Sequence, residues 1–254
     1  MAYGRFAQVY DRLMADMPYG EWLRFVEECW EKVGRPRTVA DLGCGTGNLA
    51  IPLARTGLTV YGIDLSEDML AKAQEKWLSG EQVGVLGGQL LFLSQDMREW
   101  EVPEPVDAVL SFCDCLNYMT EEEDVAAVFT QTHRNLRPGG VFVFDVLTRR
   151  RFEYYAAYEP FVWNEEDLAY IWTSKWDEER QEIEHELTFF VQEDDGRFVR
   201  FQEWHVQRAY PQERLVQLLA EAGFSQIETV GDFTWEAAHA GTERAFFVAR
   251  KRED

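Results

Sequence analysis

The chain has 254 residues, of which 46% are hydrophobic and 28% are charged, so it can bury a substantial core in one large domain or in a domain that carries an insertion. Its 46 acidic residues outnumber its 25 basic ones, and the formal net charge of -21 disfavours general binding to nucleic-acid backbones and to anionic membrane surfaces. The first twenty residues contain charges and no apolar run, so we expect no secretory signal, and no stretch reaches the roughly 18 apolar residues of a membrane span.

The chain opens with a region, residues 1–37, that is predicted to form one or two helices packed outside the main sheet as a helical cap. From Thr38 to about Thr148, short apolar strands alternate with helical segments. This alternation predicts a parallel sheet covered by helices on both faces. The predicted helices begin near Asn48, after the N-cap Ser66 and after Thr120. The predicted strands are TVADLG, TVYGIDL, LLFLSQD, VDAVLSF and GGVFVFDVL.

Residues 151–210 break this alternation, because polar and apolar residues alternate along the runs IEHELTFFV and WHVQR. Asp195-Gly196 supplies a hairpin corner between the two runs. We therefore predict an antiparallel β subdomain inserted into a core made of residues 38–150 and 211–254. The insert holds 15 acidic and 6 basic residues and 15 of the 36 aromatic residues of the chain. After it the α/β pattern resumes, with a helix in PQERLVQLLAEAGF and strands in IETVGDF and RAFFVARK.

A glycine-rich turn follows the first predicted strand. Gly43, Gly45 and Gly47 have the spacing GxGxG, which differs from the GxGxxG that cradles a dinucleotide pyrophosphate. Glycines permit backbone angles closed to other residues and let a ligand touch the main chain. Asp41 stands just before the turn, where it would repel a diphosphate. The turn therefore favours a ligand with a positively charged head.

Acidic residues mark the ends of three consecutive predicted strands, at Asp41, Asp64 and Asp96. A carboxylate after the second strand can accept hydrogen bonds from both hydroxyls of a ribose. Asp96 can accept from an adenine amino group while Met97 packs against the ring. A single Asp in such a place commonly caps a helix or lies in a solvated turn. Three in this order indicate a nucleoside site.

The segments VADLGCGTGNLAIPLA, VYGIDLSEDMLAKAQEK, LSQDM, VDAVLSFCDCLNYM and LRPGGVFVFDV together resemble the class I S-adenosylmethionine-dependent methyltransferases. The resemblance covers about Val39 to Val146. It implies an α/β fold with a doubly wound, Rossmann-like sheet of seven mostly parallel strands, the last one antiparallel, and S-adenosyl-L-methionine as cofactor. The opening YGRFAQVYDRLMADMPYGEW resembles a group of small, largely uncharacterised bacterial methyltransferases. The inserted strands more distantly resemble glycine N-methyltransferase and the sugar N,N-dimethyltransferases.

The resemblance also implies which residues bind the cofactor. It assigns the methionine part to the glycine turn, the ribose to Asp64, the adenine to the ends of the second and third strands, and the reactive methyl to the end of the fourth. Aromatic residues of the N-terminal helices close over the cofactor in related enzymes. The basic residue that often meets the cofactor carboxylate is not evident in the sequence, and Arg5 and Arg12 are the candidates. The implied cofactor-binding residues are Tyr10, Trp22, Asp41, Gly43, Cys44, Gly45, Asp64, Leu65, Met69, Asp96, Met97, Ser111, Phe112 and Cys113.

Methyl transfer depends mainly on holding donor and acceptor in line, and an amine acceptor also needs to arrive deprotonated. The candidate catalytic residues are Asp114, Asn117 and His205, with Tyr118 and Tyr154 as further candidates. Asp114 and Asn117 can instead cap the next turn, and His205 can face solvent from its alternating strand.

Cysteine and histidine spacing gives no sign of a metal site. Cys113 and Cys115 are interpreted as small apolar fillers, and the four histidines show no ligand spacing, so we expect no metal. The cysteines include no CxxC pair, which indicates reduced thiols and cytoplasmic residence.

The sequence therefore predicts a methyltransferase that acts on a small molecule, with an amine as a candidate acceptor. The insert can cover the substrate with acids and aromatic rings that attract cations, or its aromatic residues can form its own core. Methylation of RNA through Arg149–Arg151, cofactor binding without catalysis, and a nicotinamide oxidoreductase are the alternatives. A monomer and a homodimer both remain open.

Overall fold

The computed structural model describes residues 2–79 and 87–253. The helices in this part of the chain are α1 (Ala2–Leu13), α2 (Tyr19–Val33), α3 (Ala50–Arg55), α4 (Glu67–Ser79), α5 (Glu122–Asn135), α6 (Arg149–Tyr158) and α7 (Gln212–Glu221), and a 3-10 turn lies at Cys115–Tyr118. The strands are β1 (Thr38–Leu42), β2 (Thr59–Asp64), β3 (Gln89–Ser94), β4 (Val106–Ser111), β5 (Leu136–Leu147), β6 (Phe161–Asn164), β7 (Leu168–Asp177), β8 (Glu182–Gln192), β9 (Phe198–Arg208), β10 (Phe224–Gly231) and β11 (Arg244–Lys251).

Seven strands form the main sheet, in the order β10-β11-β5-β4-β1-β2-β3. At its centre β1 pairs in parallel with both β2 and β4, while β11 runs antiparallel to β5 and β10. The winding direction reverses between β1 and β4, and open sheets of this kind bind ligands at the carboxyl ends of the strands beside such a reversal. The predicted α/β fold, a doubly wound Rossmann-like sheet with an antiparallel last strand, is confirmed.

Helices cover both faces of the main sheet. On one face α2 and α3 bury residues such as Phe25 and Leu53, and on the other α5 and α7 bury Phe129 and Leu215. Strand β5 has a nearly unbroken apolar run because both of its sides are covered. Helix α3 begins two residues after the predicted start near Asn48, and the side chain of Asn48 makes polar contacts instead.

A second, antiparallel sheet has the order β6-β7-β8-β9 and is entered through α6. Its side chains alternate between an outer face and an inner face that packs against α1 and α6. On the inner face the ring of Phe6 in α1 lies 5.7 Å from that of Phe189, and Phe152 in α6 lies 6.1 Å from Trp176, measured between ring centroids. The strands of this sheet begin at Phe161, because α6 occupies the start of the segment.

One or two helices were predicted before Thr38, and two are present, α1 and α2. Helix α2 packs on the main sheet, where the ring of Phe25 lies 4.4 Å from that of Phe246 in β11. Helix α1 lies between α4 and the inner face of the second sheet, because it shares a hydrophobic cluster with Met69 and Phe189. Among the described residues, no helix combines the length and the apolar character that crossing a membrane would require.

Candidate functional site

The turn between β1 and α3 holds Gly43, Gly45 and Gly47 and is called the glycine corner. It folds back over β2. The N–H groups of Gly43 and Cys44 both donate to the carbonyl of Ile63, at 2.8 and 3.0 Å. Gly43 has a φ of 72°, and a Cβ on it would lie 2.4 Å from the sulfur of Cys115, so a side chain does not fit. Gly45 has a φ of 53°, and a Cβ on it would meet no atom within 4 Å. The backbone at Gly45 therefore borders open space.

The carboxylate of Asp64 holds this corner in place from the end of β2. Its Oδ2 accepts from the N–H of Gly45 at 2.8 Å, and its Oδ1 accepts from the N–H of Ser66 at 2.8 Å. Burial raises the pKa of Asp64, while these two N–H donors act in the opposite direction. Ser66 in turn caps α4, since its hydroxyl accepts from the N–H of Met69 at 3.3 Å. The predicted N-cap is thus confirmed.

Asp41, at the end of β1, is a buried acid whose charge is not compensated. The residue is 2% exposed, and its Oδ2 has no hydrogen-bond partner among the described residues. Burial, with a further contribution from Asp64, raises the pKa of Asp41 to about 7. A buried carboxylate oxygen without a partner is costly, and a positively charged group beside it would favour its ionised form. The cationic end of S-adenosylmethionine fits this requirement.

A cavity of about 230 Å³ opens at this corner. The carboxyl ends of β1, β2 and β4 form its floor, α1 contributes Phe6 and Tyr10, and β9 of the second sheet contributes His205. The residues that line it are Phe6, Tyr10, Tyr19, Asp41, Gly43, Cys44, Gly45, Thr46, Asn48, Leu49, Asp64, Ser66, Met69, Phe112, Cys113, Cys115, Tyr118 and His205. Both sheets therefore contribute to a single cavity.

Most of the residues predicted from the sequence lie in this wall, and their roles there remain predictions. The predicted residues that line the cavity are Tyr10, Asp41, Gly43, Cys44, Gly45, Asp64, Met69, Phe112, Cys113, Tyr118 and His205. The predicted residues that do not are Trp22, Leu65, Asp96, Met97, Ser111, Asp114 and Asn117.

Three predicted adenine neighbours lie outside the wall. Leu65 is 70% exposed. Asp96 is paired with Arg98, whose Nε donates to Asp96 Oδ1 at 3.0 Å, and this hydrogen bond lowers the pKa of Asp96. The terminal methyl of Met97 lies 3.6 Å from the position of a Cβ on Gly43, so this side chain packs behind the glycine corner.

Two other predicted residues hold neighbouring elements together through buried hydrogen bonds. Ser111 is fully buried, and its hydroxyl donates to the carbonyl of Leu42 at 3.1 Å. The amide nitrogen of Asn117 donates to the carbonyls of Leu147 and Arg208 at 3.0 and 2.9 Å, and its oxygen accepts from the N–H of Leu147 at 2.9 Å. Asn117 is 0% exposed, so these hydrogen bonds tie the turn after β4 to β5 and β9, and its catalytic role stays a prediction.

Asp114 belongs to a buried charge cluster centred on Arg244 of β11. Arg244 pairs with Asp114 at 3.0 Å and also with Asp145, and its guanidinium lies 5.1 Å from the ring of Trp22. The Nε2 of Gln207 donates to the other oxygen of Asp114 at 2.7 Å. Asp114 and Trp22 thus belong to a charge cluster and do not line the cavity, and their predicted roles remain predictions.

His205 lines the cavity and does not take the solvent-facing alternative. Its ring lies 5.8 Å from those of Phe6 and Tyr118, and the Tyr118 hydroxyl is 3.4 Å from His205 Nδ1. Burial lowers the pKa of His205, which keeps its imidazole neutral at neutral pH. His185 faces it across the β8–β9 pairing, and burial together with the charge of His205 lowers the pKa of His185 to about 4.

A polar network that the sequence analysis missed attaches α1 to the glycine corner. The carboxylate of Asp11 accepts from the hydroxyl of Thr46, from Asn48 Nδ2 at 3.2 Å, and from Lys76 Nζ at 2.9 Å. Lys76 Nζ also donates to Asn48 Oδ1 at 2.7 Å. The partners of Asp11 come from the loop that holds Thr46 and Asn48 and from Lys76 in α4, both distant along the chain, and no local pattern indicates that they meet.

Arg12 anchors the other side of α1 and does not reach the cavity. Its Nε donates to Glu165 at 3.0 Å, and its Nη1 donates to Asp167 at 2.7 Å, both in the turn between β6 and β7. It is therefore engaged by the insert and is not placed to meet a cofactor carboxylate. The side chain of Arg5 lies outside the described residues. The cavity residues Phe6 and Tyr19 were also missed, although Phe6 stands four residues before Tyr10 on one helical face.

The remaining candidates lie elsewhere. Tyr154 is 39% exposed and stacks on Tyr158 at 4.6 Å, away from the cavity. In the basic cluster, Arg149 pairs with Glu153 at 2.7 Å and Arg151 pairs with Glu243 at 2.9 Å. Within residues 2–79 and 87–253, no group of three or more His, Cys, Asp or Glu side chains is placed to hold a metal ion.

Comparison with known proteins gives consistent results. A family model described as "Methyltransferase domain" matches residues 39–140. The chain is 41% identical over 253 residues to "Putative methyltransferase GWCH70_2453" of Geobacillus sp. (strain WCH70), covering 99% of this chain and 100% of that protein.

Two solved structures extend the similarity to the second sheet. An S-adenosylmethionine-dependent methyltransferase from Clostridium acetobutylicum ATCC 824 is 25% identical, with a TM-score of 0.85 over 99% of this chain and 100% of that one. The sugar N-methyltransferase KedS8 from Streptoalloteichus sp ATCC 53650 is 20% identical, with a TM-score of 0.76 over 96% of this chain and 93% of that one. The similarity to KedS8 shows a shared fold.

Proposed function

The chain belongs to the class I S-adenosylmethionine-dependent methyltransferases, and we propose that it methylates a small molecule at a nitrogen atom. The observation that carries the proposal is the position of His205, whose imidazole lines the same cavity as Gly43 and Gly45. The residues that would act on the acceptor come from α1, from the 3-10 turn and from β9.

The cavity offers suitable groups for each part of the cofactor. When bound, S-adenosylmethionine supplies a methyl group that is activated by a positively charged sulfur. Asp41 would face its cationic end, and Asp64 would accept hydrogen bonds from the ribose in addition to its contacts with Gly45 and Ser66. Tyr10 and Tyr19 line the same cavity from the N-terminal helices. Burial raises the pKa of Tyr19 to about 12, so this side chain stays a neutral hydrogen-bond donor.

His205 would take the proton of an amine acceptor. An aliphatic amine is mostly protonated in water and becomes a nucleophile only after it loses that proton. In the tautomer whose Nδ1–H donates to the oxygen of Tyr118, Nε2 is the ring atom that can accept a proton. Because burial lowers the pKa of His205, the imidazole is in its proton-accepting form at neutral pH.

Helix α1 would keep water and large acceptors out of the cavity. It places Phe6 and Tyr10 in the wall and is held at both sides, by Asp11 on the glycine corner and by Arg12 on the insert. The structural likeness to KedS8 motivates a test of nitrogen acceptors, although at 20% identity it speaks for the fold alone. The RNA alternative is disfavoured because acidic residues pair with Arg149 and Arg151.

The decisive experiment is methyl transfer from S-adenosylmethionine labelled in its methyl group. The purified protein would be incubated with a metabolite extract, with matched amines and alcohols of one carbon skeleton, and with cellular RNA. We expect label in amines and no label in the alcohols or in RNA. Transfer to the alcohols alone, or retention and labelling of RNA at low salt, would contradict the proposal. Cytoplasmic residence is part of the proposal, and cell fractionation tests it.

A further inference from the structure

We propose that Gln207 of β9 is a positioning residue for methyl transfer. Through its hydrogen bond to Asp114 it holds a strained turn, Cys113–Asp114, at the distance from His205 that brings methyl donor and acceptor into line. This inference rests on the proposed function, in which the acceptor lies beside His205. It adds the part of the chain that sets the alignment of the two ligands.

The Cys113–Asp114 turn has a left-handed backbone at both of its residues. The φ of Cys113 is 58° and that of Asp114 is 55°, in the region that favours glycine. Asp accepts this conformation more readily than most residues, but for Cys113 it carries a conformational cost. Of the non-glycine residues with a positive φ in the described part of the chain, Cys113 alone lines the cavity. Such strain persists beside a site only where the surroundings impose it, so the groups that hold the turn bear on function.

The segment that begins with this turn contacts both ends of the cavity. The sulfur of Cys115 donates to the carbonyl of Gly43 at 3.5 Å, in the glycine corner. Three residues further on, the hydroxyl of Tyr118 is 3.4 Å from His205 Nδ1. Cys113, Cys115 and Tyr118 all line the cavity. Because one short segment contacts the glycine corner and His205, its position sets how far the cofactor lies from the acceptor.

Side chains from three strands hold Asp114 in this conformation. Arg244 of β11 pairs with its Oδ1 at 3.0 Å, and Asp145 of β5 accepts from its N–H at 3.4 Å. Gln207 donates from Nε2 to the other carboxylate oxygen, Oδ2, at 2.7 Å. Gln207 is 3% exposed and Asp145 is 0% exposed, so water competes little for these bonds.

Gln207 differs from the other two partners because it comes from the strand that carries His205. It lies two residues after His205 on the inner face of β9, a separation of about 7 Å along a strand. Arg244 and Asp145 fix the turn to the main sheet, whereas Gln207 fixes it to the second sheet. The hydrogen bond between Gln207 and Asp114 therefore links the segment that borders the cofactor to the strand that presents His205.

Methyl transfer is sensitive to exactly this kind of placement. The lone pair of the acceptor nitrogen forms a bond to the methyl carbon while the carbon–sulfur bond breaks, so nitrogen, carbon and sulfur must be collinear. A misplacement of about 1 Å can lower the rate by about a hundredfold while both ligands still bind. A positioning residue is therefore recognised by a fall in kcat without a matching change in binding.

The test compares Gln207→Met with the control Arg208→Met. Methionine has nearly the length of glutamine but lacks the amide donor. The side chain of Arg208 ties the same strand to the same segment, at the carbonyl of Thr120 at 2.7 Å, six residues after Asp114. In Gln207→Met we expect kcat to fall roughly tenfold to a hundredfold, with the acceptor KM and the cofactor affinity by calorimetry changed less than about twofold. In Arg208→Met all three quantities should stay within about twofold.

An exchange of the two polar groups separates positioning from a general loss of packing. Gln207→Glu alone places two carboxylates together and should also lower kcat. Combined with Asp114→Asn, it restores a donor and an acceptor in the reverse direction, and kcat should recover to within about threefold of that of the unmodified protein. Crystal structures of the ligand-free variants supply a readout other than activity. Cys113 should leave the left-handed region in Gln207→Met and keep it in the double variant.

Unchanged kcat in Gln207→Met, or an equal loss in Arg208→Met, would overturn the inference. So would a higher acceptor KM at unchanged kcat, which would show that Gln207 binds the acceptor. A double variant that binds the cofactor normally and does not recover kcat would also contradict it. The variants are compared with whichever acceptor takes the label. Label in alcohols alone would therefore refute nitrogen methylation, while the ratio of kcat values still decides the role of Gln207.

Discussion

Replacing Asp41 with Asn tests whether the end of β1 carries an uncompensated buried charge. Asp41 is 2% exposed, and burial followed by the nearby Asp64 raises its pKa from 3.8 to about 7. Below pH 3.8 the acid is protonated in both the folded and the unfolded chain. As the pH rises from there to about 7, the unfolded chain releases its proton first, so the folded state loses stability.

The size of this effect follows from the difference between the two pKa values. One pKa unit corresponds to 1.36 kcal/mol, so the rise from 3.8 to about 7 costs the folded protein about 4 kcal/mol at pH 8. An Asn side chain has nearly the same shape and does not titrate. We therefore expect Asp41→Asn to be more stable than the unmodified protein at pH 8, by up to about 4 kcal/mol, and the difference to vanish near pH 4.

Urea unfolding of the ligand-free protein at several pH values from 4 to 8 measures this difference. Asp68→Asn is the control, because Asp68 is an exposed acid of α4, and its stability should follow that of the unmodified protein. Calorimetry should show that Asp41→Asn binds S-adenosylmethionine more weakly at pH 8, since the cationic end of the cofactor loses its counter-charge. An Asp41→Asn protein that is less stable than the unmodified protein at pH 8 would refute the reasoning.

Three further changes probe separate parts of the site. Asp64→Ala should weaken cofactor binding by about 1.5–3 kcal/mol, the range for hydrogen bonds to a charged group, and calorimetry with unchanged affinity would remove Asp64 from the site. In His205→Gln, kcat/KM for an amine should fall. In the unmodified enzyme kcat/KM should decline as the pH drops below 6.5 and the imidazole becomes protonated, and this decline should be absent from the variant. An unaltered pH profile would exclude His205 as the base. Asn117→Ala should lower the free energy of unfolding by about 3 kcal/mol, because buried backbone groups of Leu147 and Arg208 lose their partners. A loss of activity at unchanged stability would instead support its predicted catalytic role.

The main sheet and the floor of the cavity follow from the sequence because both depend on local patterns. Alternating strands and helices imply a parallel sheet, and a parallel sheet brings the ends of β1 and β2 to one edge. Asp41 and Asp64 are therefore neighbours in space once the fold is known. The open backbone at Gly45 is likewise a property of its own position.

The residues that the sequence could not place are those whose role depends on a distant partner. Asp114 was predicted as catalytic from its position after β4, but Arg244 of the last strand, 130 residues further on, binds it into the scaffold. The guanidinium of Arg244 also lies over the ring of Trp22. Trp22 was predicted to close over the cofactor because it is aromatic, but it is 1% exposed and packs in the core. The contacts of helix α1 with Thr46 and Glu165 likewise join residues that are 35 or more positions apart in the chain.

Whether a buried acid has a partner therefore separates scaffold from site in this fold. Asp145 is as deeply buried as Asp41, but Arg244 compensates its charge, and the pair joins β5 to β11 with no need of a ligand. Asp41 has no such cation among the described residues, so it carries a desolvation cost that an added positive group can offset. Asp41 also lines the cavity beside the glycine corner. The positively charged sulfur or ammonium group of S-adenosylmethionine would supply the cation that Asp41 lacks, so the unpaired buried charge matches a cationic cofactor.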